Sequence, residues 1–181
     1  MNGSNSRPTP ALRLVPAAQP IQEEWAWFCG HCAAPSPDGE PPAPNARVCI
    51  ECGFGLLLEA RTDVVPASKD AFLVVDSALL VQAMSRHAEK LLGVAEDAAV
   101  NRPVAELLVG ADAEARGKAS FAQAMAEAAA GEGEPLQATV RPWNTFGVRM
   151  RARVAPCGPP RAALVVLDPT PNRPLRVVPS S

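Results

Sequence analysis

Four cysteines constrain this chain more than any other feature. They stand as Cys29-Gly-His-Cys32 and Cys49-Ile-Glu-Cys52, with sixteen residues between the pairs. Two CxxC pairs at this separation fit one tetrahedral site of four thiolates, Cys29, Cys32, Cys49 and Cys52. Each CxxC turn aims both sulfurs to one side and leaves backbone amides free to hydrogen-bond them. Gly53, directly after the second pair, permits the positive φ of such a turn. Four thiolates leave no open coordination position, so the site is structural and not catalytic. One structural zinc per chain is the expected occupant, and iron would use the same ligands. Disulfides are not expected, because the N-terminus MNGSNSRPTPALRLVPAAQP has no apolar signal-peptide core. A thioredoxin-type redox CxxC would sit on a βα unit, and neither pair does.

A block of this size, residues 23–61, cannot fold on core burial alone. Metal binding worth about 10 kcal/mol would hold it. Trp25, Trp27 and Phe28 are expected to cover one side of the metal, and Phe54 and Leu56 to Leu58 the other. His31, inside the first knuckle, is expected to be solvated. Residues 25–58 resemble a zinc ribbon, which implies two knuckles, each at the tip of a short hairpin. The proline-rich insert Ala33 to Val48 then forms a surface loop. In this block Glu23, Glu24, Asp38, Glu40, Glu51 and Glu59 face only Arg47 and Arg61, a net charge of -4. A zinc with four thiolates adds about -2 more. Phosphate binding needs cations, so nucleic acid is not the expected partner of this ribbon. A protein-contact or structural role is.

Proline divides the rest. Four of the 20 prolines lie in residues 1–22, five between Pro35 and Pro44, and four between Pro169 and Pro179. Only Pro103, Pro135 and Pro142 interrupt residues 67–155. Proline removes a backbone donor, so continuous ladders belong in that proline-poor block. The expected organisation is a disordered tail at 1–22, a zinc ribbon at 23–61, a linker at 62–69, a second domain at 70–169 and a disordered tail at 170–181. No apolar run approaches a membrane helix, and a soluble cytoplasmic protein is expected. Fourteen arginines against Lys69, Lys90 and Lys118, with abundant alanine, point to a GC-rich bacterial genome.

Within the second block, Ala71 to Asp76 and Leu79 to Met84 pattern as a hairpin turning at Asp76-Ser77-Ala78. Ser85 can cap a helix that carries Ala88, Leu91 and Leu92 inward and ends at Gly93. Another turn of helix starts near Ala95. A short helix opened by Asn101-Arg-Pro103 carries Val104, Leu107 and Leu108 inward. A long helix over 112–130 faces Ala115, Phe121, Met125 and Ala129 inward. Three strands follow: Pro135 to Arg141, Gly147 to Val154, and Arg161 to Asp168. In the second of them Val148, Met150, Ala152 and Val154 alternate with Arg149, Arg151 and Arg153. The arginine stripe is expected on the wet side of the sheet. The order β-β-α-α-α-β-β-β predicts an α+β fold, a five-stranded antiparallel sheet with helices on one face. Strands such as Ala162 to Leu167 are apolar on both sides, so the outer face needs a cover. A second copy, the ribbon or a partner protein could supply it. Cys157, in the segment Pro156-Cys157-Gly158-Pro159-Pro160, is expected as an exposed thiol in a turn.

The segments AFLVVDSALLVQAMSRHAEKLLG (71–93), NRPVAELL (101–108) and VRMRARVAPCGPPRAALVVLDP (148–169) resemble a PAS domain in their joint order. The resemblance implies a sensing or interaction module, with a ligand cavity between the long helix and the sheet. Met84, Phe121, Met125, Trp143 and Met150 are the candidate lining residues; the ligand is unknown, and a filled core is the alternative. The flavin-binding branch carries a reactive cysteine in a helix that has none here. Haem-binding members place a histidine on the long helix, and residues 112–130 contain none. His87, on the first helix, is expected at the surface. No catalytic constellation is present. The expected function is a non-enzymatic signalling or regulatory module that contacts a protein partner, or itself, through the outer face of the PAS sheet. It can also bind a small molecule. One alternative is a transcription-associated ribbon that binds nucleic acid under PAS control. Another is a haem- or flavin-bearing redox or light sensor.

Overall fold

The computed structural model of the chain describes residues 24–111, 120–145 and 148–168. The expected tails at 1–22 and 170–181 lie outside the described residues.

Strand β1 (Trp25–Cys29) pairs antiparallel with β2 (Leu57–Arg61), placing Trp25 opposite Arg61 and Cys29 opposite Leu57. Both knuckles hang from this pair. A bridge between Phe28 and Pro35 closes the first, where the Cys29 N–H donates to the Ala34 carbonyl at 2.8 Å. A bridge between Val48 and Leu56 closes the second, where the Cys49 N–H donates to the Gly55 carbonyl at 2.7 Å. Each knuckle therefore caps a short hairpin, as the ribbon resemblance implies.

Strands β3 (Ala71–Val75) and β4 (Val81–Met84) form the expected hairpin. The Asp76 carboxylate accepts from the Ala78 and Leu80 amides at 2.9 Å each. Leu79 sits in the left-handed region at φ 60, so the second strand starts at Val81 and not at Leu79. Helix α1 (Arg86–Leu92) begins at Ser85 and ends at Gly93, whose φ of 67 is the left-handed cap. Ser85 does two jobs. Its hydroxyl accepts from the Ala88 amide at 3.2 Å as the helix cap. It also accepts from the Phe72 amide of β3 at 3.0 Å and donates to the Asp70 carbonyl at 3.1 Å. Ser85→Ala removes a cap worth about 1 kcal/mol and leaves a buried amide without its partner, at about 1–3 kcal/mol. Urea denaturation should show a loss of about 2 kcal/mol or more. A change within about 0.5 kcal/mol, the range of ordinary surface substitutions, would refute the double role.

Helix α2 (Glu96–Ala99) and a 3-10 turn at Val104–Glu106 lead into β5 (Leu108–Gly110). Leu108 was expected on a short helix; it opens a strand instead. Helix α3 (Phe121–Ala129) buries Phe121, Ala124, Met125, Ala128 and Ala129, with the Ser120 hydroxyl capping its start. Residues 112–119 of the expected long helix lie outside the described residues. Strands β6 (Leu136–Pro142), β7 (Met150–Gly158) and β8 (Ala162–Asp168) follow. Strand β5 pairs with β6, Leu108 opposite Pro142 and Gly110 opposite Val140. That long-range ladder decides its state over local helical pattern.

Strand β7 explains the architecture. Its residues 151–157 pair with β8 along one edge. Along the other edge Met150 to Val154 pair with β6, and Cys157 and Gly158 then pair with Ala60 and Glu59 of β2. The ribbon strands thus continue the sheet, which among the described residues holds eight antiparallel strands and not five. The main path runs β1-β2-β7-β8-β3-β4, with β6 and β5 branching from β7. Cys157, expected as an exposed turn thiol, is a buried strand residue opposite Ala162. Burial pushes its thiol up to about 12, which disfavours the thiolate at neutral pH.

The sheet buries both faces. Leu73, Val75, Met84, Met150, Val154 and Val165 pack against α1 and α3. On the opposite face Phe72, Val74, Leu164 and Val166 pack against Phe28, Leu58 and Ala60 of the ribbon and against Val64. The Phe28 and Phe72 rings meet edge to face at 6.2 Å. Of the covers considered for the outer face, the chain's own ribbon occupies this region, so no second copy or partner is needed there. Farther along, Arg151 is exposed on that face, while Arg153 donates to the Asp63 carbonyl at 3.0 Å and lies 3.5 Å from the Asp168 carboxylate. Among the described residues no helix is long and apolar enough to cross a membrane.

Candidate metal centre

The two knuckles bring Cys29, Cys32, Cys49 and Cys52 together, with all four Sγ atoms within 4.8 Å of one another. Cys29 Sγ lies 3.7 Å from Cys52 Sγ, and Cys32 Sγ lies 3.8 Å from Cys49 Sγ. A tetrahedron with metal–sulfur bonds of about 2.3 Å has edges of about 3.8 Å. The four thiols are therefore placed to hold a metal ion such as zinc.

The backbone supports them. The His31 and Cys32 amides point at Cys29 Sγ at 3.4 and 3.5 Å, and the Gly55 amide points at Cys52 Sγ at 3.4 Å. Burial pushes the Cys29 and Cys32 thiols above the ordinary thiol range. Burial also opposes the Cys52 thiolate. The Gly55 and Phe54 amides, with Cys29 and Cys32, together outweigh that burial and pull Cys52 down to about 6. Gly53 has a φ of 66, as its position requires; the corresponding residue of the first knuckle, Ala33, adopts φ 61 without a glycine's freedom. Gly55 is the glycine that sequence spacing did not single out. A Cβ there would lie 2.4 Å from Cys29 Sγ and 2.7 Å from His31 Cβ, so only hydrogen fits.

The apolar cover differs from expectation. Leu57, Trp27 and Ala34 pack on the thiols. Phe28 and Leu58 turn to the other side, onto the sheet. Phe54 is 67% exposed and meets the His31 ring edge-on at 5.1 Å. Trp25 is largely exposed. Arg47 sits over the Trp27 ring at 5.7 Å, donates to the Leu57 carbonyl at 2.8 Å and also to the Pro159 carbonyl.

His31, expected to be solvated, is largely buried, and its Nδ1 lies 2.9 Å from Glu96 Oε2. The second Glu96 oxygen accepts from the Met84 amide of β4 at 2.8 Å, and the Glu96 amide donates to Glu89 at 2.8 Å. The first knuckle is thereby tied to α2 and the central hairpin. Nothing local marks Glu96: it sits in the first turn of a short helix, where an acidic residue is ordinary.

Concavities lie beside the sheet. A cleft of about 480 Å³ lies beside the metal centre, lined by His31, Cys32, Glu51, Cys52, Arg86 and His87 among others. His87 is exposed, as expected. A cavity of about 740 Å³ lies between α3 and the β5–β6 pair, lined by Phe121, Met125, Leu79, Leu108, Leu136 and Thr139 among others. Of the candidate lining residues, Phe121 and Met125 border this cavity. Met84 and Met150 are packed within the core, and Trp143 is 60% exposed at the surface. Turn geometry beyond Pro142 decides the last of these, and side-chain type alone did not reveal it.

No family model matches the chain, and no curated protein is similar to it. A crystal structure of the E. coli DhaR(N)-DhaL complex is similar at a TM-score of 0.40 and 19% identity, over 56% of this chain and 32% of that one. The chain spans about a third of the length of that protein.

Proposed function

We propose that the chain is a non-enzymatic signalling module in which a structural zinc ribbon is built onto the sheet of a PAS-type sensing or interaction domain. The observation that carries this is the shared sheet. The ribbon hairpin pairs with β7 and covers Phe72, Val74, Leu164 and Val166, so the metal centre and the second block form one packed layer. Within residues 71–168 the antiparallel path β4-β3-β8-β7-β6, with helices on one face, supports the PAS resemblance. Sulfur separations of 3.7 and 3.8 Å suit zinc with four thiolates. The cavity beside Phe121 and Met125 falls within the usual size range for small-molecule sites, about 300–1,000 Å³. Partner contact then belongs to the part of the outer face that the ribbon leaves open, around Gln137 and Arg151, both exposed.

Elemental analysis and a visible spectrum of the purified full chain test this. One zinc per chain and a colourless protein are expected, before and after incubation with haem or flavin. Stoichiometric iron would replace the zinc assignment. A haem or flavin band would favour a cofactor-bearing sensor. Salt-sensitive binding of a DNA duplex would favour the nucleic-acid alternative.

A further inference from the structure

We infer that the cleft beside the metal centre is a modification site, where a peroxide oxidises Cys32 or Cys52 and thereby releases the metal. The inference rests on the metal assignment above and concerns the access of these four thiols.

Access is uneven. Cys29 and Cys49 are buried, whereas Cys32 and Cys52 are half-buried. Both half-buried thiols line the 480 Å³ cleft, and neither buried one does. The remaining lining mixes polar groups with one ring: His31 and Glu51 come from the knuckles, Ser68 from the segment before β3, Phe72 from β3, and Ser85, Arg86 and His87 from the start of α1. Such a cleft, with polar groups on both sides of the two thiols, admits a small polar oxidant. Thiol oxidation follows access as well as thiolate character, and metal-bound thiolates are already deprotonated.

The chemistry balances within the cluster. A cleft thiolate attacks one peroxide oxygen, the O–O bond breaks, and a sulfenic acid and hydroxide form. A second thiolate, within 4.8 Å, attacks that sulfur and expels a second hydroxide, leaving a disulfide. Two sulfurs are oxidised by one electron each, and both peroxide oxygens are reduced. Two of the four thiolates that would hold the metal are consumed in that disulfide, and the remaining pair would no longer retain it. The knuckles then lose the contact that closes them. The cover of Phe72, Val74, Leu164 and Val166 opens with them, which turns an oxidant into an exposed apolar surface.

The test uses the metal-loaded full chain. Its metal content is measured first; one equivalent of hydrogen peroxide is then added with a sulfenic-acid trap and a chromophoric chelator. Trapped adducts on Cys32 and Cys52 should exceed those on Cys29 and Cys49 about ten-fold, following access. Ser68→Trp fills the cleft without replacing a ligand and should slow metal release about ten-fold. If that variant fails to load metal, His87→Trp blocks the cleft from the helix side and reads the same quantity. Even labelling of all four cysteines, first labelling of Cys29 or Cys49, or an unchanged release rate in a metal-loaded blocked variant would overturn the inference alone. A wild-type chain that binds no metal would overturn the metal assignment as well.

Discussion

Serine in place of Cys29 should abolish stoichiometric metal binding, unfold residues 24–61 and weaken the rest of the fold. In small metal domains the binding energy, of order 10 kcal/mol, is the folding energy, and a ribbon of this size has too little core to replace it. A ribbon at 23–61 set apart by a linker at 62–69 would be lost without cost to its neighbour. The shared sheet changes that expectation. Without β2, the end of β7 at Cys157 and Gly158 loses its partners along one edge. Phe72, Val74, Leu164 and Val166 lose their cover, and each large apolar side chain so exposed costs up to about 1.5–3 kcal/mol. Hydrogen exchange should show complete loss of protection in β1 and β2 and partial loss in β3 and β8. Binding of an apolar dye should rise. Chelation of the metal from the wild-type chain should give the same pattern. Wild-type protection of β3 and β8 in Cys29→Ser, with an unchanged thermal midpoint, would mean that the ribbon and the sheet are energetically independent.

The second large effect is expected at Gly55, where the substitution to alanine adds one methyl group and no charge. That methyl would sit 2.4 Å from the Cys29 sulfur, far inside van der Waals contact. The clash is with a ligand atom and with the His31 backbone and Cβ, none of which can move without opening the tetrahedron. Overpacking of this kind costs about 1–3 kcal/mol, so the metal affinity of Gly55→Ala should fall by about 10- to 100-fold. Competition with a chelator of known affinity measures it. Gly53→Ala makes a useful control, because nothing lies within 4 Å of its added Cβ. It meets only the backbone strain of φ 66, about 1 kcal/mol. Equal losses in the two variants would show that backbone conformation, and not the packing around Cys29, governs the site.

Local chemistry was legible wherever a residue acts through its near neighbours. The four ligands follow from two CxxC turns, because each turn orients its own sulfurs. The cap at Ser85 and the stop at Gly93 follow from the unpaired amides and carbonyls at helix ends. The alternation of Met150, Ala152 and Val154 with Arg151 and Arg153 states which side of β7 is dry. Long-range partners were not legible in the same way. Leu108 carries an apolar side chain that suits either a helix or a strand, and pairing with Pro142 decides it. Cys157 lies beside prolines that suggest a turn, yet pairing with Ala162 and Ala60 extends β7 through it. His31 and Glu96 are 65 positions apart and meet only because α2 packs beside the first knuckle.

The sequence by itself determined the cluster of four cysteines, the capped helix, the alternating strand and the need to cover a sheet that is apolar on both sides. Those properties depend on spacing and polarity over a few residues, which the chain carries wherever it folds. Only the tertiary structure decided what supplies the cover. Strand β7 is longer than its neighbour β6, so its free end accepts β2, and Phe28 and Leu58 are carried onto Phe72 and Leu164. A hydrophobic face requires a partner but does not name one, because apolar burial is non-directional; backbone pairing has a direction, and it made the choice.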